Sequence, residues 1–327
     1  MPLLLTEADV KSVLSMADLI EAMEPTLAAF SARNVEQPLR TVLQAGSPKP
    51  GFFGVMPAFI PATGALGTKL VTVFASNADA GLPTHLATIL LLDSATGALL
   101  AIMDGRYITE ARTAAVSAVA TRHLANADAA TLAIIGSGVQ ARSHLEALSH
   151  VRTLTDVRVW SPDAARRAAF VREMQSTVHV PLHEAASARH AVEGASIVVL
   201  ATSSREPVIE SGWVGRGVHL CAVGACRPDQ REMDSALVER ARVFVDSRVA
   251  ALAEAGDIVI PIKEGTIGAD HIAGELGEVS AGRVAGRESP AQVTIFKSLG
   301  LAVEDVAAAH IAFQRATARG LGTVARL

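Results

Sequence analysis

The rhythm of apolar and polar positions changes near residue 130. Ahead of that point, residues 6–33 (TEADVKSVLSMADLIEAMEPTLAAFSAR) carry apolar side chains at helical spacing and predict one short and one longer helix. The stretch 46–67 is rich in Gly and Pro and holds short apolar pieces such as GFFGVMPAF, which read as strands and turns. KLVTVFA (69–75), THLATILLLD (84–93) and ALLAIMD (98–104) alternate or run apolar and predict strands of one sheet, with DSATGA as the hairpin turn between the last two. TEARTAAVSAVATRHLA (109–125) predicts an alanine-rich helix with Thr109 as its N-cap. From residue 131 the runs TLAIIG, DVRVW, VHVPLH, SIVVLAT, VHLCAVGA and RVFVDS recur with helical stretches among them. Strands alternating with helices imply right-handed crossovers and a parallel, doubly wound α/β sheet. A glycine-rich stretch, GELGEVSAGRVAGR (274–287), follows, and a helix over about 301–319 closes the pattern.

The change of rhythm coincides with Gly136-Ser137-Gly138-Val139-Gln140-Ala141. The fingerprint of a dinucleotide-binding turn needs this setting, after a strand and before a helix. Its first glycine makes the tight turn, its second lets backbone N–H groups approach a pyrophosphate, and its third position needs only a small residue, which Ala141 supplies. The phosphates then rest on the helix N-terminus, where N–H groups and the helix dipole favour anions. The next strand, VRVW, ends at Ser161. An acid at that place would bond both ribose hydroxyls and repel a 2′-phosphate; serine does not repel. Arg166 and Arg167 lie about one turn further on, beside Asp163, and are open to two readings, a 2′-phosphate contact or a solvated helix face. The expected cofactor is therefore NADPH or NADH, with NADPH slightly favoured.

Three cations stand out ahead of the fingerprint: Arg40 in QPLRTV, Lys69 in GTKLVTV and Arg112. With a helix starting at Thr109, Arg112 falls in the first turn, where a cation opposes the dipole unless an anion binds there. Each alone is more often a surface residue; together with a hydride cofactor they suggest a clamp for a carboxylate. On the same reading, removing Arg112 should leave the fold intact.

The bulk numbers narrow the partners. With 29 Lys and Arg against 33 Asp and Glu, a net charge of −4 offers no footprint for nucleic acid or an anionic membrane. The apolar runs are too short to span a bilayer, and MPLLLTEADV lacks the basic start of a signal peptide. The two cysteines, Cys221 and Cys226, match no zinc spacing and no disulfide framework, so a reducing cytoplasm is the expected home and no metal is expected.

Taken in order, GTKLVTVF, THLATILLLDSATGALLAIMDGRYITEARTAAVSAVAT, IIGSGVQARSHLEAL, VGACRPDQREMD, VFVDS, GELGEV and TIFKSLGLAVED resemble the ornithine cyclodeaminase/mu-crystallin family over nearly the whole chain. The block from Thr84 to Thr121 is the distinctive part. The resemblance implies a Rossmann domain (121–299) inserted into an α+β substrate-binding and dimerisation domain (1–120 plus 300–327), and a homodimer. It places Arg40, Lys69 and Arg112 on the substrate carboxylate, with Lys69 and Arg112 as the catalytic pair. Arg112, Thr84, His85 and Thr113 are implied around the phosphates and nicotinamide, and Thr202 and Ser203 along the nucleotide. Val223 and the Phe296-Lys297-Ser298 stretch are implied near the nicotinamide, joining Gly136, Gly138, Val139, Gln140 and Ser161 as cofactor residues.

Two departures from the family's namesake matter. Cyclodeaminases carry a catalytic aspartate where this chain has Cys226, and a second acid where it has Met56; both are read here as substrate-pocket residues. Deamination and ring closure need a proton shuttle at the substrate amine, which methionine cannot supply. GACRPDQREMD resembles instead the mu-crystallin branch and its imine-reducing relatives. The first expectation is therefore a ketimine reductase, taking 1-pyrroline-2-carboxylate or 1-piperideine-2-carboxylate to L-proline or L-pipecolate. An alanine-type amino-acid dehydrogenase or an ornithine cyclodeaminase is the second, and a non-catalytic NADP-dependent binder of a small ligand the third. Steady NAD(P)H consumption with a cyclic imine removes the third, and a requirement for pyruvate plus ammonia favours the second.

Overall fold

In the computed structural model, described for all residues except 47, 48, 50 and 327, the chain divides into two units. Met1–Arg112 and Leu301–Leu327 form the first, Thr113–Gly300 the second. Three residues of the turn expected within 46–67, and the last residue of 300–327, lie outside the described residues. The chain enters through β1 (Leu3–Leu5), α1 (Glu7–Val13) and α2 (Met16–Ser31). Thr6 and Ser15 each accept the N3 backbone N–H of the following helix, and Asp9 and Asp18 reach back to the caps, so both helices start where side chains satisfy otherwise unpaired donors. The strands β2 (Thr41–Ala45), β3 (Gly51–Ile60), β4 (Ala65–Val73), β5 (His85–Asp93) and β6 (Leu99–Asp104) follow, then α3 (Arg106–Leu124).

The start of α3 corrects the sequence expectation. The helix begins at Arg106, because the Asp104 carboxylate accepts from Arg106 N at 3.0 Å and Tyr107 N at 3.4 Å. Thr109 is no cap; its hydroxyl donates to the Gly105 carbonyl at 2.7 Å from inside the first turn. Arg112 therefore sits in the second turn, beyond the reach of the dipole argument.

The second unit runs β7 (Thr131–Ile135), α4 (Val139–Val151), β8 (Asp156–Trp160), α5 (Ala164–Met174), β9 (Leu182–Glu184), α6 (Ala188–Val192), β10 (Ile197–Leu200), β11 (His219–Ala222), α7 (Ser235–Arg240), β12 (Arg242–Val245), α8 (Arg248–Glu254), α9 (Gly256–Lys263), β13 (Ile272–Glu275), α10 (Leu276–Ser280) and β14 (Thr294–Lys297). Its eight strands lie in the order β13-β12-β14-β11-β10-β7-β8-β9, all parallel. Strands β10, β11 and β14 are buried along their whole length, as a sheet covered on both faces requires. Here too the structure differs from the periodicity. VHVPLH contributes only Leu182 and His183 to the sheet, in β9, since Pro181 has no N–H to give. TIFK, which the pattern did not single out as a strand, is β14, inserted between β11 and β12.

The chain then returns to the first unit with α11 (Ala302–Arg319) and β15 (Thr323–Val324). The first sheet has the order β15-β1-β6-β5-β4-β3-β2, with β2 to β6 an antiparallel meander. α11 lies across β3, β4 and β5 and beside α2. Its buried Ala308, Ala309, Ala312 and Ala316 keep that face shallow. Gly67 on β4 serves the same approach: a Cβ there would stand 2.6 Å from the Leu90 carbonyl oxygen and 3.4 Å from Val306 of α11. Neither the β5 backbone nor a packed helix can yield cheaply, so Gly67→Ala should destabilise the protein by about 1–3 kcal/mol in urea unfolding. Unchanged stability would mean that the helix has slack over this strand.

Candidate functional site

In the first unit two of the three expected cations, Lys69 and Arg112, are buried together, each paired with acids. Lys69 occupies a buried position of β4, paired in register with Met56 of β3 and Ile89 of β5, and is 2% exposed. Its Nζ lies 2.6 Å from Asp305 Oδ2. Arg112, 4% exposed, donates through Nε to Asp305 Oδ1 at 2.9 Å and through Nη1 to Glu304 Oε2 at 2.5 Å. Both acids are fully buried in the first turn of α11. Burial works against the Asp305 carboxylate, yet Arg112 and Lys69 outweigh it and hold its pKa below the usual carboxylate range. For Lys69, burial lowers the pKa to about 8, opposed by Asp305 and assisted by Arg112 and Arg40. His85, at the start of β5, is lowered to about 4 by burial, then by Lys69 and Arg112, so it is a neutral imidazole at physiological pH.

The remaining first-unit residues fall as follows. Met56 is buried on β3, Arg40 is half-buried just before β2, and Thr84 is exposed with its carbonyl accepting from Phe74 N at 2.9 Å. The sequence reading had no place for Glu304 and Asp305. Two acids in a first turn ordinarily face water, where the dipole welcomes them. The available signal was the alanine and valine on either side of them in LAVEDVAAA, which leaves no polar face for solvent. The expectation that Arg112 is dispensable for folding is corrected by the same contacts: without it, two buried carboxylates lose their guanidinium, a loss of about 3–5 kcal/mol for a broken buried pair.

In the second unit the glycines do what the fingerprint requires. Gly136 has φ +122°, and a Cβ on it would stand 2.5 Å from the Ala201 carbonyl oxygen. Gly138, the N-cap of α4, has open space where its Cβ would be, and no side chain caps the helix there. That open N-terminus, with Val139 half exposed and Gln140 following it in the first turn, has uncapped backbone N–H groups that fit a bound pyrophosphate. His144 fixes the helix start: its Nδ1 donates to the Gln140 carbonyl at 2.7 Å while Nε2 meets the Ser117 hydroxyl at 2.9 Å, and burial lowers its pKa to about 4, keeping the ring neutral. Ser161 Oγ bonds Ser137 Oγ at 2.9 Å. Arg167 is engaged with the Ser161 carbonyl and Glu184, whereas Arg166 is largely exposed beside Asp163.

The loops after β10 and β11 are tied by one buried acid. Glu232 accepts from Thr202 N at 2.6 Å, Gly224 N at 2.8 Å and Ala225 N at 3.1 Å. Its own N–H donates to Asp257 Oδ1 at 2.7 Å, and Asp257 Oδ2 pairs with Lys297 Nζ at 3.0 Å. Burial opposes the Lys297 ammonium, but Asp257, Cys226 and Glu232 outweigh it and raise its pKa. Lys297 is fully buried in this pair and offers no exposed ammonium. Ser298 donates to Asp246 Oδ2 at 3.2 Å and is buried, as is Phe296. Thr202 is half-buried, Ser203 exposed, Val223 and Thr113 buried, and Cys226 exposed with its thiol directed to the Val223 carbonyl at 3.5 Å. The other cysteine, Cys221, is a buried thiol of β11 pushed up to about 12 by burial.

The comparisons with known proteins agree with this geometry. The ornithine cyclodeaminase/mu-crystallin family model matches residues 1–320. The chain is 42% identical over 301 residues to the ketimine reductase mu-crystallin of Rattus norvegicus, covering 90% of this chain and 91% of the relative. Its fold superposes with a TM-score of 0.96 on the Thermococcus litoralis Delta(1)-pyrroline-2-carboxylate reductase in complex with NADH and L-proline, at 40% identity, covering 99% of this chain and 100% of that one. It superposes with a TM-score of 0.94 on an archaeal alanine dehydrogenase dimer with bound NAD, at 32% identity, covering 100% and 99%. With the glycine turn, the buried cations and the inserted parallel sheet all in place, the chain belongs to the ornithine cyclodeaminase/mu-crystallin family.

Proposed function

We propose that this protein is an NAD(P)H-dependent oxidoreductase that reduces a cyclic ketimine carboxylate, 1-pyrroline-2-carboxylate or 1-piperideine-2-carboxylate, to L-proline or L-pipecolate. The observation that carries the reading is the buried Lys69–Arg112 pair in a unit whose position 56 is methionine, together with cysteine at 226. Lys69, Arg112 and Arg40 hold the substrate carboxylate, which fixes the ring. The bound nicotinamide supplies hydride. An iminium needs little else from the protein, whereas releasing ammonia from ornithine needs a carboxylate at the amine. The similarity to a reductase of pyrroline-2-carboxylate and to a ketimine reductase supports the same substrate class.

The functional division follows the units: the first binds substrate and pairs subunits, the second binds the dinucleotide. The outward face of the first sheet supports a homodimer. Val55, Leu70 and Thr88 form one cross-strand row, and Thr68, Leu90 and Ile102 another, all incompletely buried. Beside them β2 leaves Val42 and Leu43 about half exposed. A single chain gains nothing by presenting such a face and an apolar edge to water; a second copy covers both. Two free cysteines fit a reducing compartment, and we place the protein in the cytoplasm, with neither nucleic acid nor membrane as a partner. Among the described residues no helix is long and apolar enough to cross a membrane.

Four measurements test the reading. NADPH oxidation should proceed steadily with either cyclic imine acid, with little or no ammonia released from L-ornithine; efficient formation of proline and ammonia from ornithine would overturn it. Arg112→Lys, which keeps a charge but loses the planar fork, should lower kcat/KM by about 100-fold. NADPH should serve at least as well as NADH, and Ser161→Asp should raise the KM for NADPH by about tenfold more than that for NADH, through repulsion of the 2′-phosphate. A strong native preference for NADH would refute this assignment of the strand end. Finally, light scattering at micromolar concentration should give a dimer, and Leu90→Glu should shift it to monomer; a native monomer would contradict the role given to the sheet face.

A further inference from the structure

A charge withdrawn from water has to be answered where it lies. The first unit buries four charges together, Lys69, Arg112, Glu304 and Asp305. The two acids are neighbours in sequence, yet they do different things. Asp305 divides its carboxylate, Oδ2 on Lys69 Nζ at 2.6 Å and Oδ1 on Arg112 Nε at 2.9 Å. Glu304 Oε2 takes Arg112 Nη1 at 2.5 Å and the Leu301 N–H of its own helix start at 3.2 Å. The helix carrying both is held by a further contact, Val303 N donating to Gln37 Oε1 at 2.8 Å.

We propose that Asp305 is a positioning residue of the substrate site: with the two oxygens of one carboxylate it fixes Lys69 and Arg112 side by side and keeps the Lys69 ammonium charged for the substrate carboxylate. The role rests on the reading of Lys69 and Arg112 as the carboxylate clamp. Glu304 fixes the guanidinium of Arg112 from its other side and leaves Lys69 to Asp305.

The groups facing Lys69 are Asp305 from α11, Arg112 from α3, Arg40 ahead of β2 and His85 from β5. Of these four only Asp305 favours the ammonium; Arg112 and Arg40 oppose it, and His85 is neutral. Burial opposes it as well, and the balance stands at about 8. The sign is therefore set: taking away the Asp305 charge lowers the Lys69 pKa further, and the clamp loses a cation at a lower pH than before.

Two readouts test this on the intact protein. The first is the pH profile of kcat/KM for reduction of the cyclic imine acid, whose alkaline limb should lie near 8. The second needs no catalysis: the chain has five lysines, so ¹³C labelling at lysine Cε resolves each titration by NMR, with Lys69→Arg identifying the Lys69 signal. In Asp305→Asn the limb and the Lys69 titration should both move down by about one pH unit or more, and KM for the imine should rise more than kcat falls. In Glu304→Gln kcat/KM should fall while the limb and the Lys69 titration stay in place. A folded Asp305→Asn protein in which neither readout moves overturns the proposal and leaves Asp305 a packing residue. If Asp305→Asn does not fold, Lys69→Arg decides, because it keeps a cation for Asp305: the limb near 8 should vanish, and its persistence overturns the proposal. Should the native protein reduce no cyclic imine, the proposed function fails by itself, and the NMR titration still reports whether Asp305 governs Lys69.

Discussion

Lys69 and Arg112 can lie inside the protein only because α11 brings two carboxylates to them. Much of the first unit follows from that requirement. The acids must reach β4, so the helix must lie close to the sheet; alanine on the helix and Gly67 on the strand make the approach possible. The arginine must meet both acids, which fixes the rotation of α3 about its axis. On the proposed reading, binding of a substrate carboxylate would cost little reorganisation, because the donors are already ordered before it arrives.

The second unit applies the same physics to backbone N–H groups. Lys297, Asp257 and Glu232 form a buried series that ends on the N–H groups of Thr202, Gly224 and Ala225. Loops at the ends of parallel strands are where a nucleotide is met, and ordinarily they are the mobile part of the fold. Here the ion pair makes them extensions of the sheet. Gly224 belongs to that arrangement, since a Cβ on it would collide with the Thr202 backbone at 2.0 Å.

Much of this was legible in the sequence, for identifiable reasons. The strands β7, β8, β10 and β11 carry unbroken or alternating apolar runs, and the glycine turn has a fixed chemistry, so both announce themselves. The cations at 69 and 112 were visible as residues out of keeping with their surroundings. Their partners were not, because Glu304 and Asp305 are almost 200 residues away from Arg112 in the chain and pair only through the tertiary fold. The start of α3 was misread because Asp104, the actual acceptor for its first N–H groups, ends a strand and looked like part of it. β14 is four residues long and follows a polar stretch, too short for periodicity to separate from a loop.

The return of the chain also sets an order of events during synthesis. A ribosome completes β1 to β6 and the start of α3 through Arg112, then makes the whole of the second unit, before Glu304 and Asp305 exist. Until then the first sheet has one face uncovered and two cations with no buried counter-charge, so it has no reason to close around them. The second unit, continuous in sequence, carries no such debt and can assemble while its neighbour waits. In this protein the oldest residues of the nascent chain therefore reach their final state last, when α11 arrives with the charges that let them leave water.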